Sequence, residues 1–211
     1  MFNLSANPTI YAIAGSPASG KTTFIQAKGE LFSKDVFIHD CDAVMVDLEG
    51  YQIDLPLLGS AKAFQKWELP AREKAEAMLM EAVLARKDII YDRSCALPSS
   101  YTFLKDLVDN QEYTLIMHVL YVTEEEAFSR AKIREEKTNR HIPKEVLVER
   151  MAGISALWPS YVKMAREAYL YDSNDTAYEV IAEGKDFGFT IFDKERYGAF
   201  IRVFSSVDKD F

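Results

Sequence analysis

Cysteine is scarce: Cys41 and Cys95 are the two in a chain of 211 residues. Two thiols cannot form the disulfide framework of a small secreted scaffold, so the fold has to rest on an apolar core. Both read as small, half-buried apolar side chains. Basic charge is also short. Lys and Arg number 25 against 33 Asp and Glu, and the net charge is −8. A protein built to grip a nucleic-acid backbone carries the opposite balance. No apolar run approaches the roughly 20 residues of a membrane span. The opening "MFNLSANPTIYAIAG" has no basic start and no long apolar centre, so it does not read as a secretory signal. Repeats, low-complexity tracts and Pro/Gly-rich linkers are missing too. The expectation is one domain over residues 1–211, soluble and cytoplasmic, with neither a membrane nor a long nucleic acid among its partners.

What is present favours a folded α/β domain. Apolar residues make up 48%, with 13 Phe, 11 Tyr and 2 Trp. Strand-length apolar runs alternate with helical patterns, which predicts a mostly parallel sheet flanked by helices. The strands are Thr9–Ala14, Asp35–Asp40, Asp88–Asp92 and Tyr113–Val122, followed by a late pair at about 177–193. The helices are Gly20–Leu31, Ser60–Arg86, Pro98–Asn110, Glu124–Glu136, Pro143–Met151 and Pro159–Leu170. In the second of these, Ala71, Ala75, Met78, Leu79, Ala82 and Val83 share one face, and Pro70 is expected to start or kink it. Thr123 is placed to cap the Glu124 helix.

The first strand runs into "GSPASGKT", Gly15 to Thr22, which fits G-x-x-x-x-G-K-[ST] at every defined position. A strand before it and a helix after it are the context that gives this motif meaning. Its glycines let successive N–H groups converge on phosphate oxygens. Gly15, Ser16, Ala18, Ser19, Gly20, Lys21, Thr22 and Thr23 are therefore the candidate nucleotide cradle. Lys21 can reach the β- and γ-phosphates, and the Thr22 hydroxyl can ligate Mg²⁺.

Ligands of open α/β sheets lie beyond the carboxyl ends of the strands. Asp40 and Asp42 follow the second strand, and Asp92 ends the third. On an extended chain Asp40 and Asp42 share one side. Asp42 is the candidate for the group that takes a proton from an acceptor hydroxyl. Asp92 is the candidate second Mg²⁺ ligand, and Asp40 reads as a strand-end cap. From Val36 to Ala61 there are five acids and no Lys or Arg. Of these, Asp47, Glu49 and Asp54 read as a solvated loop. Phe128–Lys144 reverses the balance, with six Lys or Arg against two Glu. Arg130 and Arg134 are neighbours at i, i+4, and Arg140 follows in a turn. Arginines on a helix–turn–helix flap at about 124–152 could close over a nucleotide and neutralise a moving phosphoryl group.

The cradle, the "HDCD" after strand two and "SRAKIREEKTNRHIPKEVLVERM" together resemble the zeta-toxin-like P-loop kinases, over about Ile10 to Asn174. The resemblance implies a three-layer P-loop kinase fold with a helical lid, and ATP- or GTP-dependent transfer to a hydroxyl. The characterised toxins of the family phosphorylate UDP-N-acetylglucosamine. It also implies Lys21 and Thr22 as the P-loop pair, Asp42 as the base, Asp92 as the acid after strand three, and Arg134 and Arg140 as lid arginines, with Arg130 an alternative to Arg134. "YDRS" at 91–94 departs from the Glu-Gly-Thr-like stretch usual there, and Val44–Leu69 has no match. An inhibitory, antitoxin-like partner is raised by the resemblance and identified by no residue. Three readings stay open: a small-molecule kinase, a polynucleotide or nucleoside 5′-hydroxyl kinase, and a nucleotide-dependent switch.

Overall fold

A computed structural model describes residues 7–138, 142–186 and 188–207. Seven strands form one sheet: β1 Thr9–Ala14, β2 Phe37–His39, β3 Ile89–Asp92, β4 Thr114–Tyr121, β5 Glu167–Asp172, β6 Val180–Lys185 and β7 Gly188–Ile191. Their order is β2-β3-β1-β4-β5-β6-β7. The first five are parallel, and β6 and β7 run antiparallel. The segment between β5 and β6 is too short for a crossover helix, so the chain has to turn back. The helices are α1 Lys21–Ala27, α2 Cys41–Val46, α3 Glu49–Leu58, α4 Ser60–Leu84, α5 Pro98–Asp109, α6 Glu124–Thr138, α7 Lys144–Met164 and α8 Lys194–Val207. None of the described helices is long and apolar enough to cross a membrane.

Alternation along β1 makes two cores. Ile10, Ala12 and Ala14 pack on one face with Leu79, Leu104, Trp158 and Tyr161. Tyr11 and Ile13 pack on the other with Phe24 of α1. This is a three-layer arrangement of helices on a mostly parallel sheet. The order also fixes where a ligand can sit. The chain leaves β1 towards the β2 edge, returns to place β3 beside β1, then crosses to β4 on the other side. The carboxyl ends of β1, β3 and β4 therefore open a crevice at the switch point.

Several elements differ from the sequence expectation. Residues 144–164 are one helix, because Leu147, Met151, Ile154, Trp158 and Tyr161 bury one continuous stripe through Pro159. Residues 167–170 belong to β5, where they pair with β4 in parallel. Pro70 neither starts nor ends α4. Its missing N–H removes one bond from a 25-residue helix whose buried stripe continues to Val83. The acidic stretch is helical as well. Asp54 of α3 accepts from Trp67 Nε1 and pairs with Lys66, both at 2.6 Å, which pins α3 to α4. Helix α8, which packs Phe200 into the main core, was not anticipated.

Acid sensitivity follows from the buried histidines. His118 of β4 is 3% exposed and stacks on Tyr169 and Tyr171. Its Nδ1 hydrogen-bonds the Tyr171 hydroxyl at 3.1 Å, and its Nε2 has no partner among the described residues. Burial pulls its pKa down to about 4. The unfolded chain takes up a proton near pH 6.5 that the folded chain refuses. This stability is complete above pH 6.5 and is lost as the pH falls towards 4, by about 3 kcal/mol. His118→Phe is expected to remove that share of the pH dependence in urea unfolding at pH 7 and pH 4. An undiminished slope would mean that His118 is not responsible.

Candidate active site

The cradle folds as its glycines require. Gly15 has φ 144° and Gly20 φ 88°, with Ala18 between them at φ 63°. A Cβ on Gly15 would fall 2.5 Å from Ser19 Oγ and 2.8 Å from the Leu120 carbonyl, so only glycine fits there. Gly15 N donates to the Ser94 carbonyl at 3.2 Å, tying the loop to the residues after β3. Ser16 and Ser19 are buried, and neither hydroxyl has a partner among the described residues. Lys21 Nζ reaches back to donate to the Gly15 and Ser16 carbonyls at 3.3 and 3.2 Å. Burial lowers the Lys21 pKa, and Asp92 works against that shift. Thr22 and Thr23 face the cleft in front of the loop.

The carboxylates converge on the same cleft. Asp40 is not extended alongside Asp42, as its spacing suggested. It is the N-cap of α2, accepting from Asp42 N at 2.9 Å and Ala43 N at 3.1 Å. The cap starts a helix at Cys41, which turns Asp42 into the first turn. There Asp42 Oδ2 accepts from Arg134 Nη2 at 2.9 Å. Asp92, at the end of β3, is partly enclosed. Burial raises its pKa, Lys21 opposes the rise, and Asp40 and Asp42 add to it.

Helix α6 brings the arginines to the opposite wall. Glu126 N donates to the Thr123 hydroxyl at 3.4 Å, so Thr123 caps the helix as expected. Arg130 Nε donates to Glu126 at 2.6 Å and Nη2 to the Asn174 carbonyl at 2.8 Å. Arg134 bridges the cleft to Asp42. Arg140, the other expected lid arginine, lies outside the described residues. The cleft between these walls measures about 620 Å³. Of the sequence candidates, Ala18, Gly20, Lys21, Thr22, Thr23, Asp42, Asp92, Arg130 and Arg134 all line it.

Sequence reasoning missed its far wall. Met45, Phe64, Glu68 and Arg72 come from α2 and α4, and Arg93 follows β3. Arg93 Nη1 donates to Cys41 Sγ at 3.2 Å and pairs with Glu76 at 3.5 Å. Its position directly after a strand-end acid was the available signal. Met45 gave none, because its segment matched no pattern. Phe64, Glu68 and Arg72, although on an expected helix, carried no local sign that they face a cleft.

A family model described as "Zeta toxin" matches residues 2–176. The chain belongs to the zeta toxin family. No curated protein matches it. Among solved structures, one of the PezAT chromosomal toxin–antitoxin system of Streptococcus pneumoniae superposes on this zeta toxin family member with a TM-score of 0.69 at 14% identity, covering 96% of this chain and 88% of that one. The AvrRxo1-ORF1:AvrRxo1-ORF2 complex with ATP gives a TM-score of 0.68 at 13% identity, covering 93% of this chain and 64% of that one. A chain of the Pnkp1/Rnl/Hen1 RNA repair complex gives 0.51 at 18%, covering 75% and 48%. At such identities the likeness is one of fold, and the fold is that of the P-loop kinases.

Proposed function

We propose that this zeta toxin family member is a phosphotransferase that moves the γ-phosphoryl group of ATP or GTP to a hydroxyl of a small molecule, with UDP-activated sugars the first acceptors to test. The observation that carries the reading is the 2.9 Å contact between Asp42 and Arg134 across the mouth of the P-loop cleft. A switch that hydrolyses slowly can do so with the cradle and one group that positions water. A kinase needs, in addition, a proton acceptor and a cation that face each other where the phosphoryl group passes.

In this reading the loop N–H groups and Lys21 hold the phosphates. Asp42 takes the proton of the acceptor hydroxyl as that oxygen attacks the γ-phosphorus, and the bond from the γ-phosphorus to the bridging oxygen breaks to release ADP or GDP. Arg130 and Arg134, with Arg140 of the same segment, neutralise the charge on the transferred group. The Asp42 and Arg134 side chains are 46% and 40% exposed, so their mutual attraction is worth at most about 1 kcal/mol and is readily exchanged for contacts to substrate. Met45, Phe64, Arg72 and Arg93 form the wall against which an acceptor would rest.

A magnesium ion fits the residues present. Among the described residues no three His, Cys, Asp or Glu side chains are placed to hold a metal, so Thr22 and Asp92 would bind one together with phosphate oxygens. Burial, and then Asp40 and Asp42, disfavour charge on Asp92 while Lys21 favours it, and a cation there would act in the same sense as Lys21. Bound there, it would supply charge neutralisation at the phosphates. A cytoplasmic location, a single domain with a lid near 124–152 and an inhibitory protein partner belong to the same reading. In support of the last, PezAT is described as a toxin–antitoxin system.

Incubation with γ-labelled ATP and Mg²⁺ tests the proposal, with UDP-sugars, free sugars, nucleosides and 5′-hydroxyl oligonucleotides as acceptors. Label on a sugar or nucleotide sugar is the expected result. Label on a 5′-hydroxyl would favour the nucleoside or polynucleotide reading. Inorganic phosphate alone, with every acceptor, would favour the switch.

A further inference from the structure

The segment Asp172–Asn174 leaves β5 at the carboxyl end of the sheet, and nothing above gives it a role. All three side chains are committed. Asp172 Oδ2 pairs with Arg196 Nε of α8 at 3.2 Å, and its Oδ1 accepts from Asn174 N and Nδ2 at 2.8 and 2.7 Å. Ser173 Oγ donates to the Ser19 carbonyl in the cradle. Asn174 Oδ1 accepts from both the N–H and the hydroxyl of Thr123, each at 3.0 Å, and its main-chain carbonyl accepts from Arg130.

The chemistry of this cluster fixes its orientation. An ionised Asp172 can only accept, so Asn174 has to turn its NH₂ towards it and its oxygen towards Thr123. With its proton given to Asn174, the Thr123 hydroxyl keeps a lone pair for Glu126 N, the cap of α6. Arg130 is held at two nitrogens, by Glu126 and by the Asn174 carbonyl. Its Nη1 lies 3.7 Å from where a Gly20 Cβ would be, so the guanidinium rests against the cradle. Three consecutive residues thus join the cradle, the root of α6, Arg130 and α8.

We infer that Asn174 is a positioning residue that roots the arginine-bearing helix and holds Arg130 beside the P-loop before nucleotide arrives. This rests on the nucleotide-binding reading of the cleft. An arginine ordered in advance does not have to lose side-chain freedom at the moment of transfer, and small misplacements of such a group are costly. Asn174 touches no reacting atom in this role. Its side chain acts through Thr123 and the root of α6, the helix that carries Arg130, while its main-chain carbonyl, which Arg130 donates to, is kept in any substitution.

Asn174→Ala, Arg130→Ala and the double variant test it, with two readouts. Without nucleotide, amide exchange in the first two turns of α6 is expected to rise in Asn174→Ala, while β1 and α7 stay protected. With MgATP and acceptor, kcat is expected to fall about ten-fold with little change in acceptor KM, and by less than about two-fold when the same change is made on Arg130→Ala. Unchanged α6 exchange with normal MgATP binding overturns the inference alone. So does a full ten-fold loss in the Arg130→Ala background. Wild-type protein that binds no MgATP overturns the nucleotide reading and this role with it. Should Asn174→Ala not fold, Thr123→Val removes the same hydroxyl contact from the other side and is held to the same outcomes.

Discussion

Lys21→Ala is expected to lower phosphoryl transfer by about 10²- to 10³-fold or more, with the fold intact. Lys21 stands where β1, the cradle and α1 meet. Its Nζ donates only weakly, at 3.2 and 3.3 Å, to two loop carbonyls. Burial works against its charge, and the neighbouring Asp92 is the main compensation. An ammonium in that position gains more from phosphate oxygens than from neutral carbonyls, because charge-assisted bonds are about twice as strong. Removing it leaves Asp92, Asp40 and Asp42 facing the phosphates without the nearest cation. Weaker MgATP binding and slower transfer are therefore expected together. Lys21→Arg should not rescue, since a planar guanidinium cannot occupy the space of a point charge between those carbonyls. The checks are equilibrium binding of a fluorescent MgATP analogue, initial rates with γ-labelled ATP and the thermal midpoint. Transfer within ten-fold of wild type would show that the cradle does not handle phosphate as proposed.

How much of this site could be read in advance differs from residue to residue. The cradle was legible because backbone geometry demands specific residues: a Gly15 with no room for a Cβ and a Gly20 at positive φ leave a mark in the sequence. The arginines were legible through their i, i+4 spacing on a helix with a recognisable cap. Asp40 and Asp42 were found by strand-end placement, but their relation was misjudged. Two residues apart reads as one side of a strand, and the Asp40 cap turned the chain into α2 instead. The wall from Met45 to Arg72 was illegible because α2 was not expected as a helix and α4, although expected, gives no local sign that Phe64, Glu68 and Arg72 face a cleft. The neighbouring α3 was hidden as well. Exposed Ile53, Leu55, Leu57 and Leu58 and an internal Pro56 give α3 no apolar stripe, and it buries no residue. Its helical state comes from tertiary ties such as Asp54 to Lys66 and Trp67, which no local pattern announces. Strands β1 to β4 were read better than the chain beyond Pro143, because they are apolar runs that need no partner to be recognised. Pro159, by contrast, breaks a pattern without breaking the helix, and β5, with Glu167 and two tyrosines, read as the end of that helix.

Asp42→Asn is expected to lower kcat for transfer about 10²- to 10⁴-fold while MgATP binding stays within a few-fold of wild type. The amide keeps the size of the carboxylate, and its oxygen can still accept from Arg134. What it loses is the capacity to take a proton. Structural damage should be small. The ion pair with Arg134 is well exposed on both sides, so its loss is worth at most about 1 kcal/mol. The cap of α2 belongs to Asp40, which the substitution leaves alone. Asp40 supplies the matched comparison. Asp40→Asn preserves a good N-cap and should leave transfer near wild type, whereas Asp40→Ala should cost about 1 kcal/mol of stability. A second comparison separates proton transfer from phosphate handling. Slow release of inorganic phosphate without acceptor depends on the cradle and on Lys21. It should persist in Asp42→Asn and fall in Lys21→Ala. If Asp42→Asn transfers label as fast as wild type, the proton goes elsewhere, and the cleft carboxylates left to receive it are Asp40, Glu68 and Asp92.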